Sequence, residues 1–437
     1  MLALVIAVLL SPQDAAKTLD AYLDRRWDAP ASATEDVVQA LKLDAAGVEK
    51  VLREGRSSIG EPPQPRGKLT GNLALPLEHV DHATKYFIYV PRSYDPKKAA
   101  PIVIVGHGGS SARDLDFGAR AALGGMQPFW LDCAEKHGFL VLAPLSDRGW
   151  GAIGYSIVFS ALSKVQREYR VDPDRVYITG HSMGGHLTWR SGIGLADRWG
   201  AVSPMSGGYD YVKDKQVYTL FNVPGYATYG KREPYQINEF NNIIRKWMEA
   251  HAYPWVNREC EGGHEIFPDE IEPVWKFFAE RPRDLYRKRV YARAGGSLEY
   301  AKADANAQWR KEHTWTAGRP IPASTVHWLR LVPLPADTPP EKAVQSVWAV
   351  NKGDNSFEIV SENARRLRIY LHPKMVDFAK PVKVVANGKT AFEKRVAPDL
   401  RTMLELVREF DDRGRVFHAA IEFEVAGDGA VPEPTHK

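Results

Sequence analysis

The chain has 437 residues, 44% of them hydrophobic and 26% charged, with a formal net charge of +4. That composition excludes a disordered or fibrous chain and supplies two or three soluble domains of about 100–200 residues each. A charge excess this small, with no compact basic stripe interleaved with aromatics, excludes nucleic acid as a partner, and the densest basic stretch, Arg281–Arg293, reads as a solvated helix face.

In chain order, residues 1–12 begin with an apolar run, Met1–Leu10. The run is shorter than the roughly 20 residues a membrane span needs, and it fits the apolar region of a secretory signal peptide. A secreted or periplasmic protein follows, and no other stretch is long and apolar enough to engage a membrane. Residues 13–66 read as helical. Leu19, Tyr22, Leu23 and Trp27, then Val37, Val38, Leu41, Val48, Val51 and Leu52, recur at helical spacing, with Pro30 between the halves. Glu61-Pro62-Pro63-Gln64-Pro65 then reads as a linker.

Residues 67–282 form the next unit. Short apolar strands are expected at Tyr86–Val90, Pro101–Val105, Phe139–Ala143, Arg175–Thr179, Val202–Ser206, Val223–Tyr229 and Tyr253–Arg258. Helical stretches such as Tyr155–Tyr169 lie between them, and Ile271–Phe278 closes the unit. Strands alternating with helices predict an α/β class with a mostly parallel central sheet. Residues 283–326 are polar and mixed and read as a connection. Residues 327–428 turn β-rich, with strands at Val347–Val350, Phe357–Val360, Leu367–Tyr370, Val382–Val385 and Val416–Val425, and a helix at Pro398–Phe410. Asn387-Gly388 between two of these strands predicts a hairpin, because a type I′ turn needs positive φ at both central residues. A small β-sandwich-like domain is the simplest architecture, followed by a polar tail at 429–437. Cys133 and Cys260 are the two cysteines, and no CxxC pair is present. A zinc or thioredoxin-like site of that kind is therefore not expected, and a disulfide between the two is allowed without being required.

The chemistry concentrates at Gly180-His181-Ser182-Met183-Gly184-Gly185, a G-x-S-x-G match that follows a β-branched strand and opens a helix-like run. A strand–turn–helix of this kind projects the serine oxygen and sets it at a helix N-terminus, where free N–H groups favour developing negative charge. His107-Gly108-Gly109 follows the strand Pro101–Val105, and its glycines allow a backbone N–H to approach a substrate oxygen. The expected oxyanion hole is therefore the N–H of Met183 with one from the Gly108–Ser110 turn, Gly109 foremost.

A serine hydroxyl needs a base, and the base needs a carboxylate to hold its tautomer. The order serine, acid, histidine selects His264, in the glycine-rich Glu261-Gly262-Gly263-His264-Glu265, from the 13 histidines. His181 and His186 flank the serine too tightly to serve, and His251 is a weaker choice at a helix end. Glu233, just past the strand Val223–Tyr229, suits the acid, with Asp210 as the alternative. His107, Trp150 and Tyr155 are candidates for the substrate pocket, as are Phe129 and Trp130. No metal or organic cofactor is called for.

The run Val171–Gly185 resembles the esterase/polyhydroxybutyrate-depolymerase-like and feruloyl-esterase-like branch of the α/β-hydrolases, and is similar also to the prolyl oligopeptidase catalytic domain. The resemblance covers about Lys68–Glu280. It implies the α/β-hydrolase fold and an acyl hydrolase with Ser182, Glu233 and His264 as the triad, although the acid of that branch is commonly aspartate. Val376–Val382 and Asn387-Gly388-Lys389 resemble a β-rich appendage of such hydrolases that implies no activity of its own. The expected substrate is a small-molecule or polymer ester, of a small, aromatic or carbohydrate-linked acyl group. A serine peptidase and a catalytically idle polysaccharide-binding protein are the alternatives. With only about 65 residues before the first strand, a propeller of the prolyl-oligopeptidase type has no room. Nothing in the sequence speaks to oligomeric state.

Overall fold

The computed structural model describes residues 12–25, 32–77, 83–109, 114–127, 129–147, 149–208, 216–294, 324–335, 337–339 and 342–437. The apolar run Met1–Leu10 and the alternative acid Asp210 lie outside them, as does Ser110 of the expected oxyanion turn.

Eight strands build the central sheet: β1 (Leu69–Pro76), β2 (Ala83–Tyr89), β3 (Ala100–Gly106), β4 (Leu140–Pro144), β5 (Val171–His181), β6 (Val202–Met205), β7 (Gly225–Gly230) and β8 (Trp255–Cys260). Their order is β1-β2-β4-β3-β5-β6-β7-β8. β1 and β2 run antiparallel to their neighbours, and every pairing from β4 through β8 is parallel. This is the α/β-hydrolase sheet.

The apolar runs follow from burial on both faces of the sheet. Ile102, Ile104, Leu140 and Leu142 enter one cluster with the helices Ala152–Glu168 and Met183–Gly194. The alternate residues Val103, Val105, Val141 and Ala143 enter another, with the helices Trp130–His137 and Ile271–Ala279. The period of two divides each strand between the two helical layers. The parallel strands therefore end together at one edge, where their loops gather the polar residues considered below.

The three N-terminal helices, Pro12–Asp24, Ala33–Leu41 and Ala45–Glu54, do not cover the sheet. Leu19, Leu23, Leu41, Val48 and Leu52 pack instead against Met403, Leu404 and Val407 of the helix Leu400–Phe410, in a cluster of their own. The Asp44 side chain caps the third helix by accepting from the Gly47 N–H at 2.8 Å.

The C-terminal part is two sheets around one apolar core. One sheet holds Thr325–Val326, Leu329–Leu331, Arg366–Leu371 and Ala419–Glu424; the other holds Lys389–Lys394, Val382–Ala386, Ser356–Glu362, Gln345–Gly353 and Arg289–Ala294. Arg289–Ala294 lies inside the stretch read from sequence as a connection, yet it pairs antiparallel with Gln345–Val350. Its alternation explains the recruitment. Val290 and Ala292 face the sandwich core, while Tyr291 turns to the cluster on the central sheet and meets Tyr218 edge-on at 5.9 Å. The Asn387-Gly388 turn has φ of 48° and 76°, the positive pair a type I′ hairpin needs. Among the described residues, no helix is long and apolar enough to cross a membrane.

Candidate active site

Ser182 stands between the end of β5 and the first turn of the helix Met183–Gly194, with φ 58° and ψ −115°. A non-glycine residue held there is strained by about 1–3 kcal/mol, so its surroundings must impose the conformation. The flanking glycines show how. A side chain on Gly184 would lie 2.0 Å from the Gly106 carbonyl, and one on Gly185 would lie 2.5 Å from the Met205 carbonyl. The helix can press onto β3 and β6 only because both residues lack a Cβ. Ser182 then donates its N–H to the Met205 carbonyl at 3.0 Å, and the bend is fixed.

His264 lies on the loop after β8 and Glu233 on the turn after β7. Ser182 Oγ is 2.8 Å from His264 Nε2, and His264 Nδ1 is 2.6 Å from Glu233 Oε2. The two loops are tied together: Arg232 donates its N–H to the Gly262 carbonyl at 2.9 Å. A Cβ on Gly230 would fall 2.2 Å from the Gly263 carbonyl, so glycine is what permits this approach. The Glu233 side chain is fully buried, while that of His264 is 35% exposed.

Electrostatics follow from this geometry. The hydrogen bond that His264 Nδ1 donates to Glu233 raises the imidazole above its ordinary value, against the opposing effect of burial. Burial pushes the Glu233 carboxyl up, but the hydrogen bond from His264 and the nearby Ser206 hydroxyl outweigh it and hold the group below the usual carboxylate range. His181, whose ring is 4.9 Å from that of His264, is pushed down to about 4 by burial and by the neighbouring imidazole. His186 is also pushed down to about 4, and its Nδ1 accepts from the Gly208 N–H. At neutral pH neither adds a charge that would compete with His264.

His251 sits apart from this group, hydrogen-bonded to the Trp247 carbonyl and Glu433. Met183, as first residue of its helix, has no intrahelical acceptor for its N–H. Gly108 lies beside it, for a Cβ there would be 3.5 Å from Ser182 Cβ. Gly109 adopts φ 118°, the left-handed side that favours glycine, and a side chain there would strike the Phe117 ring at 2.4 Å.

Of the three residues expected in the substrate pocket, His107 reaches the cavity beside the serine, and Trp150 and Tyr155 do not line it. His107 is buried: its Nε2 accepts from the Ser146 N–H at 3.0 Å, so Nδ1 carries the proton and donates to the Gly108 carbonyl at 2.8 Å. Trp150 donates to the His107 carbonyl at 2.9 Å. These two bonds set the backbone of the Gly108-Gly109 turn. Trp150 and Tyr155 are built into the core beneath it and do not line the cavity described next, because aromatics of their size are buried more cheaply there than beside an open cleft. The cavity beside the serine is about 490 Å³, and Gly109, His181, Phe129, Trp130, Met205 and Ile266 are among its walls. His107 also lines it.

Sequence reasoning missed Ser206. It is buried with φ 46°, donates its Oγ–H to the Glu265 carbonyl at 2.9 Å, and also supports Glu233. The signal for it was slight, a serine ending β6 just before Gly207-Gly208. Cys133 and Cys260 are both free thiols.

No protein-family model matches the chain. A curated protein it resembles is a bifunctional acetylxylan esterase/xylanase of Neocallimastix patriciarum, 27% identical over 205 residues, covering 45% of this chain and 29% of that protein. The chain thus spans less than a third of that relative. Among solved structures it is similar to a thermostable esterase, with a TM-score of 0.40 and 20% identity over 49% of this chain and 63% of the other. A ferulic acid esterase gives 0.39 and 16%, over 49% and 100%. A putative dipeptidyl aminopeptidase IV of Bacteroides ovatus gives 0.38 and 13%, over 49% and 36%.

Proposed function

We propose that this chain is a serine carboxylic-ester hydrolase, acting outside the cytoplasm through Ser182, His264 and Glu233. The observation that carries the reading is the unbroken hydrogen-bonded series from Ser182 Oγ through His264 to Glu233, at 2.8 and 2.6 Å.

In this mechanism His264 Nε2 takes the Ser182 proton as Oγ attacks the acyl carbonyl. Glu233 holds the proton on Nδ1, so that Nε2 presents its lone pair, and stabilises the imidazolium that forms. The N–H of Met183 and an N–H of the Gly109 turn receive the oxyanion; a single donor of this kind is worth about 2.7–4 kcal/mol in the transition state. The imidazolium then protonates the leaving alcohol. Water, activated by the same ring, attacks the acyl-enzyme and restores Ser182.

The cavity of about 490 Å³, with Phe129, Trp130, Met205 and Ile266 in its walls, suits the acyl side of a small or aromatic ester. The likeness of 205 residues to an acetylxylan esterase/xylanase favours a carbohydrate-linked ester over a peptide. The apolar run Met1–Leu10 is the support for an extracytoplasmic site of action.

The test is covalent labelling by a fluorophosphonate probe together with a panel of p-nitrophenyl and polysaccharide esters set against aminoacyl anilides. Labelling and ester turnover that both vanish in Ser182→Ala are expected. Ester turnover unchanged in that variant, or anilide cleavage exceeding ester cleavage, would remove the reading.

A further inference from the structure

Away from the serine, a second group of reactive side chains converges between two helices. Cys133 and His137 are four residues apart on the helix Trp130–His137 and so share a face. Glu272 opens the helix Ile271–Ala279 opposite them. Cys133 Sγ is 3.9 Å from Glu272 Oε2, and His137 Nε2 is 2.9 and 3.1 Å from the two carboxylate oxygens. The sulfur, the nitrogen and a carboxylate oxygen all lie within 4.8 Å of one another.

These separations are close to those a tetrahedral ion imposes. With Zn–S near 2.3 Å and Zn–N and Zn–O near 2.0–2.2 Å, the ligand atoms of a zinc site stand about 3.4–3.6 Å apart. The donor set is also of the right chemistry, since thiolate, imidazole and carboxylate are zinc's three protein ligands. From this convergence we infer that Cys133, His137 and Glu272 form a binding site for a zinc-type divalent cation, with its fourth position open to water.

A second cluster of similar composition shows why the assignment is selective. Glu49, His372 and His418 also converge. There, however, His372 Nδ1 accepts the Lys374 N–H at 3.1 Å, so the ring's proton sits on Nε2, where it donates to Glu49. A metal would need the lone pair that this proton occupies. That trio is a hydrogen-bonded clamp between the N-terminal helices and the β domain. His137 carries no such obstacle: among the described residues no hydrogen bond engages its Nδ1, so the proton can move there and free Nε2 for the ion. Among the described residues the competitor is Lys136, whose ammonium is 3.0 Å from Glu272 Oε1 on a side chain 64% exposed and able to swing away.

The site lies behind the catalytic cavity and does not depend on the esterase reading. Trp130, at the head of one helix, lines that cavity, and Glu272 follows His264 closely in the chain. A bound ion would join the helix that carries the cavity wall to the helix that follows the histidine loop.

Cobalt(II) is the probe, because a thiolate–cobalt bond produces a near-ultraviolet charge-transfer band that oxygen and nitrogen ligands do not. The full chain in a Cys260→Ser background is expected to bind one Co²⁺ with that band, to lose the band when Zn²⁺ is added, and to melt at a higher temperature with Zn²⁺. Cys133→Ser should abolish the band. Glu272→Gln, at the partly exposed end of the site, should weaken binding at least 100-fold with the fold kept, and Lys136→Met should tighten it several-fold. No band and no melting shift in the unsubstituted site, a band that survives Cys133→Ser, or affinity indifferent to Glu272→Gln would each overturn the assignment.

Discussion

Glu233 and Asp412 are both buried carboxylates facing cations, yet they are surrounded in opposite ways. Glu233 has one cationic partner, His264, which titrates and whose other face reaches solvent. Asp412, in the β domain, lies among three arginines, Arg283, Arg198 and Arg415. Arg283 grips both of its oxygens, and Arg198 and Arg415 stand 4.0 and 3.8 Å away. Arg283 also reaches Asp174 on β5 at 2.9 Å, and Arg415 reaches Asp197 at 2.8 Å, so the network bolts the β domain to the hydrolase sheet. The Asp412 carboxyl is held well below its usual range by these charges, against its complete burial. The contrast shows two uses of one interaction. An ion pair meant to hold domains is closed, buried and crowded with partners. One suited to moving protons is left short of partners, with one member adjustable.

The comparison can be broken most forcefully at the serine. Ser182→Ala should lower kcat/KM by at least about ten-thousand-fold while leaving the melting temperature close to that of the parent, since only an oxygen is removed. Glu233→Gln comes next. Glutamine fills the space but offers no charge and can favour the wrong tautomer, so a loss of about a thousand- to ten-thousand-fold in kcat is expected with little change in KM. A loss below tenfold would mean that another carboxylate orients His264. Asp412→Asn should reverse the pattern. Leaving buried arginines uncompensated should cost about 3–5 kcal/mol of stability by denaturant unfolding, with kcat of the folded fraction nearly unchanged. A large fall in kcat at full folding would show that the bolt also shapes the site.

The two regions also differ in how far they could be read from sequence. The nucleophile, base and acid candidates were legible because the turn after a strand needs particular residues at particular offsets: Gly180, Gly184 and Gly185 announce a close helix–sheet approach before any coordinate is known. The alternation of helix and strand gave the sheet for the same reason, as burial on both faces leaves long apolar runs. The Asp412 network was invisible, since Asp174, Asp197, Arg283 and Arg415 are brought together only by tertiary packing and carry no periodic pattern. Cys133, His137 and Glu272 escaped likewise, for a search by short cysteine spacing cannot see a ligand more than a hundred residues away. Of the aromatics proposed for the pocket, Phe129 and Trp130 line the cavity while Trp150 and Tyr155 do not. Trp150 and Tyr155 do lie near the active edge of the sheet, but sequence position cannot say whether an aromatic ring faces the cleft or the core behind it, and here both pack into the core.

The smallest effect sharpens the comparison most, because only the His264–Glu233 pair should respond to pH over the working range, and its activity and stability should respond with opposite signs. His264 must be neutral to accept the Ser182 proton, and its pairing with Glu233 raises it above the ordinary 6.5. Activity should therefore fall as pH drops through that raised value, placing the acid limb of kcat/KM above 6.5. The linked stability runs the other way. A group whose folded-state pKa is raised adds stability that is complete below its unfolded value and is lost as pH rises through the folded one. Over the window in which activity appears, the His264–Glu233 pair should make the protein slightly less stable, while Asp412, held well below its usual range, contributes no inflection. In Glu233→Gln the limb should move down in pH, because the hydrogen bond and charge that raise His264 are removed. Melting temperature and kcat/KM measured on the same samples from pH 5 to 9 decide the matter. If both rise together through a single inflection that Glu233→Gln leaves in place, the activity profile reports unfolding, and the titrating group lies elsewhere than at His264.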